Sequence, residues 1–209
     1  EHIKAILKMP EVSERFRTAH GREWNQNDVA IMYQSFEKHL FASLQDFTTP
    51  VPGVIETMEQ LRREGIRIGS TTGYTDAMMK IVQPGAAAQG YTVDCLVTPD
   101  HLPAGRPAPY MIYRNMTELA IPSVDEVVKV GDTIADIREG LNAKVCSVGV
   151  ITGSNELGLT EEEYKTMPEP ELYTLKQEVR ERMMAAGAHY VLDNIRELPD
   201  LIHNLMNKK

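Results

Sequence analysis

The chain has 209 residues, 42% of them hydrophobic and 25% charged, with a net charge of -8. That length supports one sizeable core, or one core with a small appended unit. The acidic balance, without any long basic run, speaks against nucleic acid and anionic membranes as partners, since both reward clustered Lys and Arg. No apolar run of about 18 residues is present, and no signal peptide is expected. The two cysteines, Cys95 and Cys146, lie far apart in apolar surroundings. They form neither a zinc pattern nor a disulfide framework and read as buried, reduced strand residues, which fits a cytoplasmic protein.

In chain order, residues 1–45 read as helical throughout, with Pro10 as an interruption. Val29, Met32, Tyr33, Phe36, Leu40 and Leu44 fall on one apolar stripe that must pack on something. The segment Phe47-Thr48-Thr49-Pro50-Val51-Pro52-Gly53 breaks the pattern as a linker. The expected division is therefore a helical part, 1–45, and a second part, 46–209.

From Pro52 onward, helix and strand alternate. Helices are predicted over residues 54–63, 76–89, 109–120, 134–142, 171–186 and 195–206. Short strands are predicted over 66–70, 95–97, 126–130, 145–150 and 190–192. Pro84-Gly85 is expected to kink or divide the helix over 76–89. Short β-rich runs alternating with helices imply an α/β fold, a parallel sheet covered on both faces. In such sheets ligands bind at the carboxyl ends of the strands, so the residues just after each strand carry the interest.

After the strand over 66–70 comes Thr71-Thr72-Gly73-Tyr74-Thr75. Hydroxyls and backbone N–H groups ahead of a helix N-terminus make an anion cradle; the alternative is a plain helix cap at Thr75 or Asp76. Pro103-Ala104-Gly105-Arg106-Pro107-Ala108-Pro109 holds Arg106 between glycine and proline. A guanidinium fixed there clamps phosphoryl oxygens, unless it is an ordinary surface arginine. After the strand over 126–130 comes Gly131-Asp132-Thr133-Ile134-Ala135-Asp136. Two carboxylates spaced by four across a strand-to-helix turn can face one divalent ion, and Mg²⁺, a hard cation that shares its shell with phosphate, suits them. The alternative makes Asp132 or Thr133 a cap and Asp136 a solvated helix residue.

Together, a threonine at one strand end, a basic residue before a helix and Gly-Asp-x-x-x-Asp resemble the haloacid dehalogenase superfamily. The finer resemblance is to its phosphonoacetaldehyde hydrolase family. It is carried by Gly69-Ser70-Thr71-Thr72-Gly73-Tyr74-Thr75, Leu96-Val97-Thr98-Pro99-Asp100, Pro103-Ala104-Gly105-Arg106-Pro107, Lys129-Val130-Gly131-Asp132-Thr133 and the stretch from Gly153 to Glu163. The resemblance implies a three-layer, Rossmann-like core with a small helical cap, Mg²⁺ as cofactor, a small phosphonate substrate and a homodimer formed through the cap.

It also implies roles. Thr72 binds the phosphoryl group with Gly73 in the same turn, Arg106 balances its charge, and Asp132 and Asp136 hold Mg²⁺ directly or through its waters. His2 resembles the family histidine that assists proton transfer near the substrate aldehyde. Tyr74 lines the pocket or packs at the helix entry. The family hydrolyses phosphonoacetaldehyde to acetaldehyde and phosphate, with an aspartate nucleophile in an Asp-x-Ala-Gly-Thr string and a Schiff-base lysine. No such string occurs here, and Lys4 and Lys8 match other family positions. The chain starts at Glu1, so the first core strand, the nucleophile and the lysine are expected upstream, and this polypeptide alone is expected to be inactive. A capped phosphatase or phosphomutase acting on a small phosphate ester, and a non-catalytic truncated binding protein, are the alternatives.

Overall fold

The computed structural model describes residues 2–207. Two compact units make up the chain, Glu1–Thr48 and Thr49–Lys209.

The first unit is helical. α1 (His2–Leu7), α2 (Pro10–His20) and α3 (Gln26–Ser43) are followed by a 3-10 turn, Leu44–Phe47. Pro10 opens α2 rather than breaking a helix, a position where its missing N–H costs nothing. α3 begins with a capping box: the Asn25 side chain accepts from the backbone of Asn27 and Asp28, and Asp28 accepts in return from Asn25 N–H. The Arg22 guanidinium grips both Asp28 oxygens at 2.7 Å, and this hydrogen bond, with the charge behind it, holds the Asp28 carboxyl down to about 2. The stripe on α3 packs only in part. Leu44 at its end is buried, but Met32, Tyr33 and Phe36 are exposed.

The second unit alternates as the sequence predicts: α4 (Val54–Arg63), β1 (Gly69–Thr71), α5 (Asp76–Ala88), β2 (Cys95–Val97), α6 (Tyr110–Glu118), β3 (Val128–Gly131), α7 (Ile134–Ala143), β4 (Cys146–Val150), α8 (Glu161–Thr166), α9 (Glu169–Ala185), β5 (Tyr190–Leu192) and α10 (Leu198–Met206). Several details differ from expectation. β1 spans Gly69–Thr71 rather than residues 66–70. α5 runs through Pro84 as one element, with Met78 and Ala86 buried on either side; a single lost backbone bond does not outweigh that anchoring. α8 was not expected; its start is fixed by a Thr160–Glu163 capping box.

Helices cover both faces of the central strand β4. Val148 faces a cluster with Leu61, Ile68, Leu192, Leu198 and Ile202. The next residue, Gly149, points the other way, where a Cβ would meet Met183 and Ile137 and where Ile151, Val179 and Ala188 complete a second cluster. This alternation along a strand buried on both sides gives three layers. Cys95 and Cys146 open their strands half-buried and unbridged, and burial pushes both thiols up.

All strand pairs are parallel, but the sheet comes in two pieces. β1 pairs with β2, and β3, β4 and β5 pair in that order. A cavity of about 2100 Å³ opens between the pieces, walled by Ile68 and Ser70 on one side and Val128 and Val130 on the other. No helix among the described residues is long and apolar enough to cross a membrane.

Candidate active site

The carboxyl ends of β1 and β3 border that cavity. Beyond β1, Thr72 N–H still donates to Val97 O of β2, so the chain leaves the sheet at Thr72. Thr72 Oγ1 accepts from Tyr74 N–H at 3.1 Å. A hydroxyl that accepts in this way keeps its own proton to give, which suits it to an anionic oxygen. The capping role belongs to Thr75, whose hydroxyl accepts from Met78 N–H at the start of α5. A ring of bonds ties this turn to the loop after β2: Thr98 Oγ1 donates to Asp76 Oδ1 at 2.5 Å, Asp76 N–H donates to Asp100 Oδ2 at 2.8 Å, and Asp100 N–H donates back to Thr98 Oγ1.

That loop continues to Arg106, whose peptide bond to Pro107 is cis. Its guanidinium pairs through Nη1 with Asp136 Oδ1. Nη2 lies against Gly73, where an added Cβ would sit 3.3 Å away. The turn after β1 and the arginine are therefore neighbours, and a side chain at 73 would crowd the guanidinium.

Beyond β3, Thr133 caps α7 and forms a capping box with Asp136. Thr133 N–H and O–H both donate to Asp136 Oδ2, at 3.2 and 2.6 Å. Asp136 Oδ1 accepts from Arg106 and from Lys129 Nζ, the latter at 2.9 Å. Burial pushes the Asp136 carboxyl up, but Lys129, Thr133 and Arg106 outweigh it and hold the group below its ordinary value. Asp136 is 3% exposed, not the solvated residue of the capping alternative. Gly131 is required here, because a Cβ at that position would overlap the Asp136 side chain.

Asp132 is oriented from outside its own element. Its Oδ2 accepts from Asn155 N–H at 3.1 Å, in the loop after β4. The neighbouring Glu156 accepts from Ile134 N–H at 3.2 Å and pairs with Arg182 at 3.7 Å, a carboxylate where the positive end of α7 favours one.

Arg106, Asp132 and Asp136 thus line one cavity with Thr71 of β1, and Thr72 and Gly73 follow directly in the turn beside Arg106. Tyr74 closes the Thr72 turn with its backbone. The set offers a hydroxyl and a guanidinium to an anion, and the second Asp132 oxygen to a hard cation. Among the described residues no group of three His, Cys, Asp or Glu is placed to hold a metal. One carboxylate beside an anion clamp still matches how Mg²⁺ binds, through one or two carboxylates with phosphate oxygens and water. The two oxygens of Asp136 are already taken by four donors, so direct ligation fits Asp132 better. His2 opens α1, and its side chain lies outside the described residues.

Spacing alone missed Lys129 and Glu139. Lys129 Nζ bonds Thr71 Oγ1, Asp136 Oδ1 and Glu139 Oε2 at 2.8–2.9 Å. The available signal was a lone charge in the apolar string Val127-Val128-Lys129-Val130.

The model of the haloacid dehalogenase-like hydrolase family matches residues 6–144. A phosphonoacetaldehyde hydrolase of Parabacteroides distasonis is 69% identical over 208 residues, covering 100% of this chain and 79% of that protein. A phosphonoacetaldehyde hydrolase of Bacillus cereus is 45% identical over 205 residues, covering 98% and 78%. The crystal structure of a phosphonoacetaldehyde hydrolase like protein from Oleispira antarctica superposes with a TM-score of 0.92 at 30% identity, over 99% of this chain and 75% of that one.

Proposed function

The chain belongs to the haloacid dehalogenase-like hydrolases, within the phosphonoacetaldehyde hydrolase family, and we propose that its full-length parent cleaves the C–P bond of phosphonoacetaldehyde to give acetaldehyde and phosphate. The observation that carries this reading is the convergence of Arg106, Asp132 and Asp136 on one cavity at the carboxyl ends of β1 and β3, with the Thr72 turn beside Arg106. Thr72 O–H and the Arg106 fork bind the equatorial oxygens of the phosphoryl group and stay with it as charge develops. Asp136 keeps Arg106 aimed. Asp132 holds Mg²⁺, which when bound neutralises charge on the transferring group.

Breaking a C–P bond leaves an electron pair on carbon. A lysine imine of the substrate aldehyde accepts that pair as an enamine, while an aspartate attacks phosphorus; water then releases phosphate and acetaldehyde. Neither group matches a residue of this chain. We assign both to the parent, together with a first core strand running between β1 and β3. The two-piece sheet and the cavity between its pieces, walled in part by Ile68, Val128 and Val130, support that assignment. The 209-residue chain alone is then inactive and prone to associate through open strand edges. Residues 1–45 are the remainder of a cap and 46–209 the core, a division supported by the two compact units. His2 assists proton transfer near the aldehyde. The exposed Met32, Tyr33 and Phe36 on α3 support a cap-mediated homodimer.

Borohydride reduction of the parent in the presence of phosphonoacetaldehyde tests the reaction. A covalent lysine adduct is expected in the intact mass. Release of phosphate from small phosphate esters without any adduct would replace this reading with a P–O phosphatase. Phosphonoacetaldehyde-dependent phosphate release from the 209-residue chain alone would overturn the assignment of nucleophile and lysine.

A further inference from the structure

Lys129 sits in β3 between Val128 and Val130, and its side chain is 10% exposed. An ammonium has three N–H donors, and here each has an acceptor: Thr71 Oγ1 at 2.8 Å, Asp136 Oδ1 at 2.9 Å and Glu139 Oε2 at 2.9 Å. Thr71 O–H in turn donates to Glu139 Oε2 at 3.0 Å. Glu139 is 0% exposed, and its other oxygen has no partner among the described residues. A buried ionic group of this kind is poor value for stability, because apolar side chains of similar volume do as well or better.

Its placement suggests another use. β1 and β3 share no ladder hydrogen bonds, and the Lys129–Thr71 bond is a direct polar link between them. On one side, Thr71 precedes Thr72. On the other, Asp136 holds Arg106. The lysine therefore connects the strand that carries one arm of the anion clamp to the carboxylate that aims the other. An arginine would not substitute, since a planar fork does not present three tetrahedral donors to three converging acceptors.

We propose that Lys129, backed by Glu139, is a positioning residue that sets the spacing between the Thr72 hydroxyl and the Arg106 guanidinium. The proposal rests on the phosphoryl-clamp reading above and adds to it the device that keeps the clamp at its working width. Lys129 touches neither substrate nor metal in this account; it acts through Thr71 and Asp136.

The test uses the full-length parent with inorganic phosphate as the probe. Lys129→Met with Glu139→Gln removes one cation and one anion together, so the buried charge stays balanced. Unfolding midpoints, kcat, KM and the competitive inhibition constant of phosphate are measured for each protein. A folded double variant is expected to bind phosphate roughly tenfold or more weakly and to lose kcat by a similar factor, as misplaced binding groups do. A purely structural lysine would lower the unfolding midpoint and leave both constants within about threefold of the parent, and that result overturns the proposal. Should the double variant not fold, Thr71→Val removes only the bridging hydroxyl. Weakened phosphate binding there supports the proposal, and an unchanged inhibition constant overturns it. Arg106→Ala separates this question from the clamp reading: if that variant still binds phosphate as the parent does, it is the clamp itself that is wrong.

Discussion

Replacing Asp136 with asparagine keeps the shape of the side chain and removes its charge. The carboxylate receives four donors, Arg106 and Lys129 on Oδ1 and the Thr133 N–H and O–H on Oδ2. An amide has one oxygen, so its NH2 must face one of these pairs. Either way Lys129 and Arg106 lose their shared anion; turned toward the cations, the NH2 also sets donor against donor, and turned toward Thr133, it breaks that half of the α7 capping box. Losing one partner of a buried ion pair costs about 3–5 kcal/mol, and losing a cap about 1 kcal/mol. Arg106 keeps some access to water, so about 3 kcal/mol is the expected loss for the first orientation. In a protein of this size that lowers the thermal midpoint by about 6–12 °C. Urea titration and thermal scans of the parent and the variant would read it, together with kcat, which falls about tenfold or more once Arg106 is released. A variant within about 1 kcal/mol of the parent and fully active would refute the claim that Asp136 organises the site.

Gly131→Ala places a methyl group into Asp136 and is expected to cost about 1–3 kcal/mol by overpacking, with weakened phosphate binding; a variant that melts and binds like the parent would mean that α7 yields freely. Arg106→Lys keeps the charge and loses the fork, so the inhibition constant of inorganic phosphate is expected to rise about tenfold, whereas an unchanged value would reduce Arg106 to a point charge. In the helical unit, Arg22 holds the Asp28 carboxyl down to about 2. A depressed folded value means the contribution is complete above the unfolded value and disappears as pH falls from about 4 toward 2. Asp28→Asn should therefore flatten the acid limb of stability in that window; parallel melting curves for the two proteins across it would contradict this.

Much of the fold could be read from punctuation. The helix Val54–Arg63 ends just before Gly65, and the strand Tyr190–Leu192 lies between Gly187 and Asn194, so breakers set those boundaries. α8 went unread although Thr160 and Glu163 spell a capping box. The α3 stripe has helical spacing, but spacing says only which residues share a face. Whether Met32, Tyr33 and Phe36 are covered depends on what lies opposite. The same limit applies to the site. The run Gly131-Asp132-x-x-x-Asp136 marks a strand-to-helix turn carrying two carboxylates. It does not say that Arg106 and Lys129 both converge on Asp136, because those partners come from a separate loop and a neighbouring strand. Lys129 and Glu139 are ordinary in the sequence and become notable only through burial and the bonds they share.

Asp132 owes part of its orientation to an amide in a surface loop 23 residues further along. The contact is made by the backbone of Asn155, not by its side chain. Residue identity at 155 is thus free to drift while the path of the loop is not. That path is held by Gly153 and Gly158, both at positive φ, and by the Glu156 carboxylate at the head of α7. A deletion or insertion between those glycines shifts the amide and disturbs the Asp132 carboxylate, whereas most replacements at 155 leave it alone. Along this stretch, length rather than composition is the quantity under constraint.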